Sequence, residues 1–483
     1  MAYIQVATVR NMTRRRYLLY LIIWLCVCFP VLYLKLSDNP TIEKNNVHVT
    51  EKHTRKPINL SKLNYKKLNK FCNAPNMIAI GDEGNIGILK NSFTIQGVLI
   101  LIRHGDRGPL THVRSIASVN CGIIPESYHQ EYLKFLENLY FNGSLQFLGP
   151  FHSYPIITQN NCSISQLTPV GVAQMLKLGK ILRTTYSSLL NITTSEEIIV
   201  YSTKYRRTFQ SALAFMYSIL PTDLLSKIIF KESDSYSYCF DHCACQNAQL
   251  LSKKLGQSSS KRLRSHRIVE KLLKRVHNIV YSLPKSVHVD PYVLKDSILT
   301  YICHDAPLPC HHHNCLKVGD VEDLFGFIDW DLKQHSKHNA FHKLGLLKSY
   351  GFALNLALNL LKMVSENKPN LVLYAGHDLT LQYLLTTFGI SNHEAILPNY
   401  ASRLIFEVYR NNSIDSSYPG KDFFFRVIFN GKDVTHSVSF CNHVIFKGIY
   451  LCPIESAVRF IHDDYFSVFN ASNFKEACNM HIP

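Results

Sequence analysis

The chain has 483 residues, a formal charge of +17 and 46% hydrophobic residues. That is enough apolar material for a large core in one elaborated domain or two smaller ones, and it excludes a chain disordered throughout. The positive balance by itself would suit nucleic acid, but the first residues argue against that partner.

Arg10, Arg14, Arg15 and Arg16 precede YLLYLIIWLCVCFPVLYL, residues 17–34, which carries no charge and is about long enough to cross ~30 Å of hydrocarbon. A cleaved signal peptide is the rival reading. The run is long, contains Trp24 and Tyr33, and is followed by no small-x-small site before Lys35, so a retained anchor is favoured. Basic residues ahead of the span place residues 1–16 in the cytoplasm and the bulk of the chain in the lumen, a single-pass type II topology. A lumenal body does not meet nucleic acid.

Two features agree with that compartment. Of fourteen cysteines, Cys26 and Cys28 lie in the span, leaving twelve, an even number suited to disulfides. Their pairing is open. Sequons for N-glycans occur at Asn59, Asn142, Asn161, Asn191, Asn411 and Asn470.

Residues 35–70 are polar and Lys-rich and read as a stem, with a folded body over 71–483. At residue 94 the pattern changes to FTIQGVLILI, an apolar run that suits a strand buried on both faces. Similar runs recur at EIIVYST (197–203) and NLVLYAGH (370–377), with helical patterns after Leu167 and from His342 between them. Strand and helix in alternation predict an α/β fold, a three-layer sandwich with a mostly parallel central sheet. The stretch of about 215–340 breaks the rhythm and carries six cysteines, so it reads as a mostly helical, disulfide-stapled cap inserted in that sandwich. RLIFEVYR and FFFRVIFNGKDV read as a terminal antiparallel pair.

Ligands of such sheets gather at the carboxyl ends of the strands, and there the chemistry is concentrated. After the first strand stand Arg103, His104, Gly105 and Arg107, two guanidiniums at i and i+4 that can converge on one tetrahedral anion. After the second come Arg206, Arg207 and Thr208; after the third, His377 and Asp378. A histidine that attacks phosphorus, arginines on the equatorial oxygens and a carboxylic acid for the leaving alcohol suffice for phosphoryl transfer without metal or cofactor.

Arg103-His104-Gly105-Asp106-Arg107-Gly108-Pro109, Arg207-Thr208-Phe209-Gln210-Ser211-Ala212 and His377-Asp378 resemble the marks of the histidine acid phosphatases, branch 2 of the histidine phosphatase superfamily. The helix opening LTPVGVAQ (167–174) adds to the likeness. The resemblance implies that His104 becomes a phosphohistidine, that Arg103, Arg107, Arg207 and His377 hold the phosphate, and that Asp378 donates the proton. YCFDHCACQNAQ, DSILTYICHDAPLPCHHHNC, NGKDVTHSVSFC and LCPIESAVRF look like one Golgi-anchored subgroup. That subgroup removes the 2-phosphate from the xylose of the glycosaminoglycan linkage region of proteoglycans. YSTKYRRT departs from many acid phosphatases by placing Lys204 and Arg206 beside the second arginine, which favours an anionic substrate.

Four rival readings remain. CHHHNC could ligate zinc, though disulfides suit the compartment better. Asp329-Trp330-Asp331 spells the D-x-D of metal-using glycosyltransferases. A general lumenal acid phosphatase would share the chemistry. A non-catalytic binder of acidic glycans would use SSSKRLRSHRIVEKLLKRVH (258–277), read as an amphipathic helix with Ile268, Leu272, Leu273 and Val276 inward and Arg262, Arg264 and Arg267 on the glycan.

Overall fold

The structure is a computed structural model, and it describes residues 66–479 except 123–126, 142–144, 160, 191–196, 226–227, 229, 235, 283–289, 391–396 and 414–420. The expected tail (1–16), span (17–34) and nearly all of the stem (35–70) lie outside the described residues.

The apolar run that opens the body forms β1, Phe93–Arg103. From Val98 onward its side chains alternate between two cores, Leu99 and Leu101 entering one and Val98, Ile100 and Ile102 the other, so no face of that half is left for polar residues. α1 (Ser127–Phe141) and α2 (Pro169–Thr185) follow. Thr168 caps α2, its side chain accepting from the Gly171 amide, and Pro169 opens it with a preset φ. Then come β2 (Ile198–Thr203), α3 (Arg206–Ile219) and β3 (Phe230–Ser233).

Four helices come next: α4 (Gln246–Ser265), α5 (Arg267–Val280), α6 (Pro291–Cys303) and α7 (Val318–Ser336). Between the last two lies a small hairpin, β4 (Cys310–His311) with β5 (Asn314–Cys315). The chain returns to the sheet through α8 (Asn339–Ser365), β6 (Leu371–Gly376) and α9 (Asp378–Thr387). It closes with β7 (Arg403–Asn411), β8 (Phe423–Phe429), β9 (Lys432–Asp433), β10 (Val444–Phe446) and β11 (Ile449–Pro453).

The main sheet runs β10-β11-β8-β7-β1-β6-β2-β3, with β9 beside β8. Its parallel block is β1-β6-β2-β3, and β7 begins an antiparallel extension in which Glu407 stands opposite Arg426. Residues of α2 and α3 cover one face, residues of α8 and α9 the other, which makes three layers. By length and composition α8 could cross a membrane, yet 67% of its most apolar window is buried, and it serves as a core helix.

The insertion differs from expectation in two ways. Residues 230–233 belong to the main sheet as β3, so the helical cap starts later than 215. The basic segment is two helices that meet at His266, and Ile268 is 85% exposed rather than inward. Leu273 and Val276 do enter the cap core, with Leu294, Ile298 and Leu324, while Leu272 packs at its edge.

All twelve described cysteines are paired: Cys72–Cys303, Cys121–Cys162, Cys239–Cys243, Cys245–Cys478, Cys310–Cys315 and Cys441–Cys452. The first and fourth tie the cap region to distant parts of the body, so it is stapled outward as well as internally. Of the sequons, Asn161 and Asn470 are exposed. Asn411 is buried in β7 with its side-chain oxygen accepting from the Ser413 amide. Asn59, Asn142 and Asn191 lie outside the described residues.

Candidate active site

β1, β6 and β2 end level. Arg103 stands opposite Gly376, and Ser202 opposite Ala375, so the residues that follow each strand emerge at one place. α3 and α9 start there, and their N-terminal amides add partial positive charge.

The turn after β1 is fixed by contact between two backbones. A Cβ on Gly105 would stand 2.3 Å from the Gly171 oxygen, and one on Gly171 would stand 2.2 Å from the Asp106 oxygen. Only glycine at both positions lets the turn lie on the first turn of α2. Asp106 secures it further: its amide donates to Gln174, and its carboxylate accepts from Thr168 at 2.6 Å and lies 2.9 Å from His304 Nε2 at the end of α6. Burial disfavours the charged form of His304, but the Asp106 carboxylate overrides it and raises the pKa.

This arrangement orients His104, which is 2% exposed. Its Nδ1 lies 2.8 Å from the Gly105 carbonyl oxygen. A carbonyl only accepts, so Nδ1 carries the proton and Nε2 keeps its lone pair. Burial, followed by the charges of Arg207 and Arg103, holds the imidazole pKa well below its ordinary value. The ring is neutral and its free nitrogen can act as a nucleophile.

Three arginines surround it. Arg103 donates to the Pro398 carbonyl at 2.7 Å, pairs with Asp378 at 3.0 Å and lies 4.4 Å over the Tyr400 ring. Arg107 forms a two-pronged pair with Asp296 of α6, at 3.1 and 2.8 Å. Arg207, on the first turn of α3, lies 3.4 Å from His377 Nδ1 and stacks on Tyr205. The Nε atoms of all three are buried without a hydrogen-bond partner among the described residues. Each orphan donor costs about 1–3 kcal/mol, which an anion at the centre would offset.

His377 has the opposite tautomer to His104. Arg207 can only donate to Nδ1, so Nε2 carries the proton, toward Thr203 Oγ1 at 2.9 Å. Burial and Arg207 keep its pKa well below the ordinary value. The two imidazole centroids are 5.5 Å apart. Asp378 opens α9 and accepts from the Leu379 amide. Burial would raise its pKa, but Arg103 and then His377 outweigh that and leave the carboxyl below its usual range.

All six residues expected from sequence therefore meet at one place. Asp296, Tyr400 and Thr203 were not anticipated. Thr203 was legible as the last residue of its strand; the other two reach the site from elements distant in sequence and carried no local signal. Lys204 and Arg206 have partners of their own: Lys204 pairs with Glu232 and Asp234, both at 2.8 Å, and Arg206 donates to the Ile157 carbonyl.

The rival motifs have structural partners. Asp329 lies 3.7 Å from Lys295, and the fully buried Asp331 accepts from Arg262, Ser259 and Tyr292. Arg262 is thus engaged inside the cap rather than turned to a glycan. The cysteines of CHHHNC are bonded to each other.

Comparison with known proteins agrees with this geometry. The family model described as "Histidine phosphatase superfamily (branch 2)" matches residues 94–297 and 313–430. The chain is 28% identical over 424 residues to 2-phosphoxylose phosphatase 1 of Homo sapiens, covering 85% of each. It is 26% identical to the protein of the same name from Danio rerio, over 98% of this chain and 100% of that one. Among solved structures, a Bifidobacterium longum multiple inositol polyphosphate phosphatase in complex with inositol hexasulfate aligns with a TM-score of 0.52 at 10% identity. It covers 80% of this chain and 96% of its own, and the likeness is one of fold.

Proposed function

The chain belongs to branch 2 of the histidine phosphatase superfamily and is a phosphatase, and from that premise we propose that it hydrolyses phosphate monoesters through a phosphohistidine on His104. The phosphoryl group enters among Arg103, Arg107 and Arg207, whose unpartnered Nε donors carry this reading. His104 Nε2 attacks phosphorus as the P–O bond to the alcohol breaks, and Asp378 gives that oxygen a proton. Water, deprotonated by the same carboxylate, then cleaves the P–N bond and restores neutral His104. The arginines stabilise the equatorial oxygens in both steps, with His377 positioned beside Arg207.

The substrate is the 2-phosphate of xylose in the glycosaminoglycan linkage region, and the enzyme acts in proteoglycan synthesis as a Golgi type II membrane protein. The named relatives and the charged, cysteine-rich sequence behind an apolar N-terminal run support that reading. Asn59, Asn142, Asn161, Asn191, Asn411 and Asn470 are its glycan acceptors.

Phosphate release from a 2-phosphoxylosyl glycopeptide, measured beside an aryl phosphate and beside His104→Ala, tests both layers. Release from the glycopeptide that requires His104 and exceeds release from the aryl ester is expected. Hydrolysis of the aryl ester alone would keep the chemistry and discard the substrate.

A further inference from the structure

One short helical turn, Lys66–Asn69, leads into residues 70–73, which join neither the sheet nor a longer helix. The Phe71 and Cys72 amides close that turn on the Leu68 and Asn69 carbonyls. The acceptors of the segment point elsewhere. The Lys70 carbonyl accepts from Asn399 at 3.1 Å, and the Cys72 and Asn73 carbonyls both accept from the Gln174 side chain, at 2.7 and 2.8 Å. Cys72 is bonded to Cys303, the neighbour of His304 in sequence. Each of these partners lies beside a support of the catalytic groups.

Two branches run from this segment to the nucleophile. In the first, the oxygen of the same Gln174 side chain accepts from the Asp106 amide at 2.7 Å, so one side-chain amide joins the segment to the turn that carries His104. The second runs through the side chain of Asn73. Its Nδ2 donates to the Tyr400 carbonyl at 2.6 Å, and the amide of the same peptide unit, that of Ala401, donates to the His104 carbonyl at 3.3 Å. A single peptide thus stands between Asn73 and the backbone of the nucleophile.

That peptide also fixes the residues before it. The Pro398 carbonyl accepts from Arg103 at 2.7 Å, and the buried Tyr400 ring lies 4.4 Å from the Arg103 guanidinium and 6.0 Å from that of Arg107. Asn73 occupies its place with φ at +46°, in the left-handed region that asparagine tolerates better than most residues.

We propose that Asn73 is a positioning residue for phosphate binding: its amide holds the Tyr400–Ala401 peptide and, through it, sets Arg103 and Arg107 beside His104. The proposal rests on the phosphohistidine reading and adds to it a residue outside all three sequence motifs. The Cys72–Cys303 bond ties the segment to α6, which also supplies Asp296 to Arg107, so both supports of that arginine are joined.

The test is the binding of inorganic phosphate to the full-length chain by calorimetry, with KM for 4-nitrophenyl phosphate and the melting temperature measured on the same preparations. Asn73→Gly keeps the left-handed backbone without strain and removes the donor. Asn73→Asp keeps the size of the side chain and turns an acceptor toward the Tyr400 carbonyl. Phosphate binding is expected to weaken about five- to tenfold in Asn73→Gly, the loss of one buried hydrogen bond, and further in Asn73→Asp, with KM rising in both. A residue that served the fold alone would lower the melting temperature and the folded fraction, but the dissociation constant and KM of the folded molecules do not depend on that fraction. Unchanged phosphate affinity in both variants, beside a wild type that binds, would overturn the positioning role and leave the phosphohistidine standing. Weakened binding in both, beside turnover that survives His104→Ala, would support the positioning role and remove the phosphohistidine. A wild-type chain that binds no phosphate would overturn both.

Discussion

The Arg103 guanidinium stands 3.0 Å from the Asp378 carboxylate, so the group proposed to give a proton is held as an anion by a group proposed to bind phosphate. The two roles are compatible only in sequence. When a phosphate takes over Arg103, Asp378 loses its cation and gains an anion as neighbour, and both changes raise its pKa. Substrate binding thus makes the acid. It follows that kcat, which reports the enzyme–substrate complex, falls as pH rises through the new pKa of Asp378. With Asp378→Asn this limb should vanish from the kcat profile measured with the same substrate. An unchanged limb would assign it to another group.

A proton donor matters in proportion to the basicity of the group that leaves. Asp378→Asn should therefore lower kcat for an alkyl phosphate by about 10²–10⁴ and have far less effect with 4-nitrophenyl phosphate, whose phenolate departs unaided. Inhibition by inorganic phosphate should persist or tighten, because a negative charge beside the anion has been removed. Equal losses on both substrates would place Asp378 in positioning rather than in proton transfer.

Stability should respond to pH through His304. Asp106 raises its folded-state pKa above the ordinary 6.5. A raised basic group contributes fully below the unfolded value and loses that contribution as pH rises through the folded one. Thermal unfolding of the wild-type chain and of His304→Gln, measured from pH 5 to 8, should differ most at the acidic end and converge toward the alkaline end. A gap that widens with pH would contradict the pairing. Because Asp106 also anchors the turn carrying His104, the variant should lose activity at every pH.

The catalytic side of the site could be read from sequence because each of its residues lies at or within a few positions of the end of an apolar strand. LILIRHG, IIVYST and LVLYAGHD announce strand and ending together, and parallel strands in register bring such endings to one edge. What the sequence did not disclose depends on contacts between distant segments. Asp296 reaches Arg107 from a cap helix 189 residues away, and Cys245 pairs with Cys478 across 233 residues. The basic segment misled for a related reason. Helical periodicity placed Ile268 inward, but the break at His266 turns α5 and leaves Ile268 in solvent, a change set by packing against α7 that no local pattern encodes.

That same segment now divides into residues with different roles. Arg262 pairs at 2.6 Å with Asp331, which has no exposed surface and whose carboxyl lies below its usual value of 3.8. Burial alone would raise that pKa; the hydrogen bonds from Arg262, Ser259 and Tyr292 outweigh it. Arg262→Ala should strand the carboxylate and destabilise the chain by about 3 kcal/mol in chemical denaturation near neutral pH. The sign of the pH effect follows. A depressed carboxylate stabilises above its unfolded pKa and loses that contribution as pH falls, so wild type and Arg262→Ala should converge below about pH 4. Arg264 and Arg267 are exposed beside Glu270, whose pKa they help to lower after Lys274. Replacing them by alanine should leave the unfolding midpoint where it is. If the cap face meets an anionic glycan, only these two will weaken capture of a glycosaminoglycan-bearing substrate, and added salt will erase the difference. A stability loss in Arg264→Ala as large as that in Arg262→Ala would place Arg264 in the cap core with Arg262.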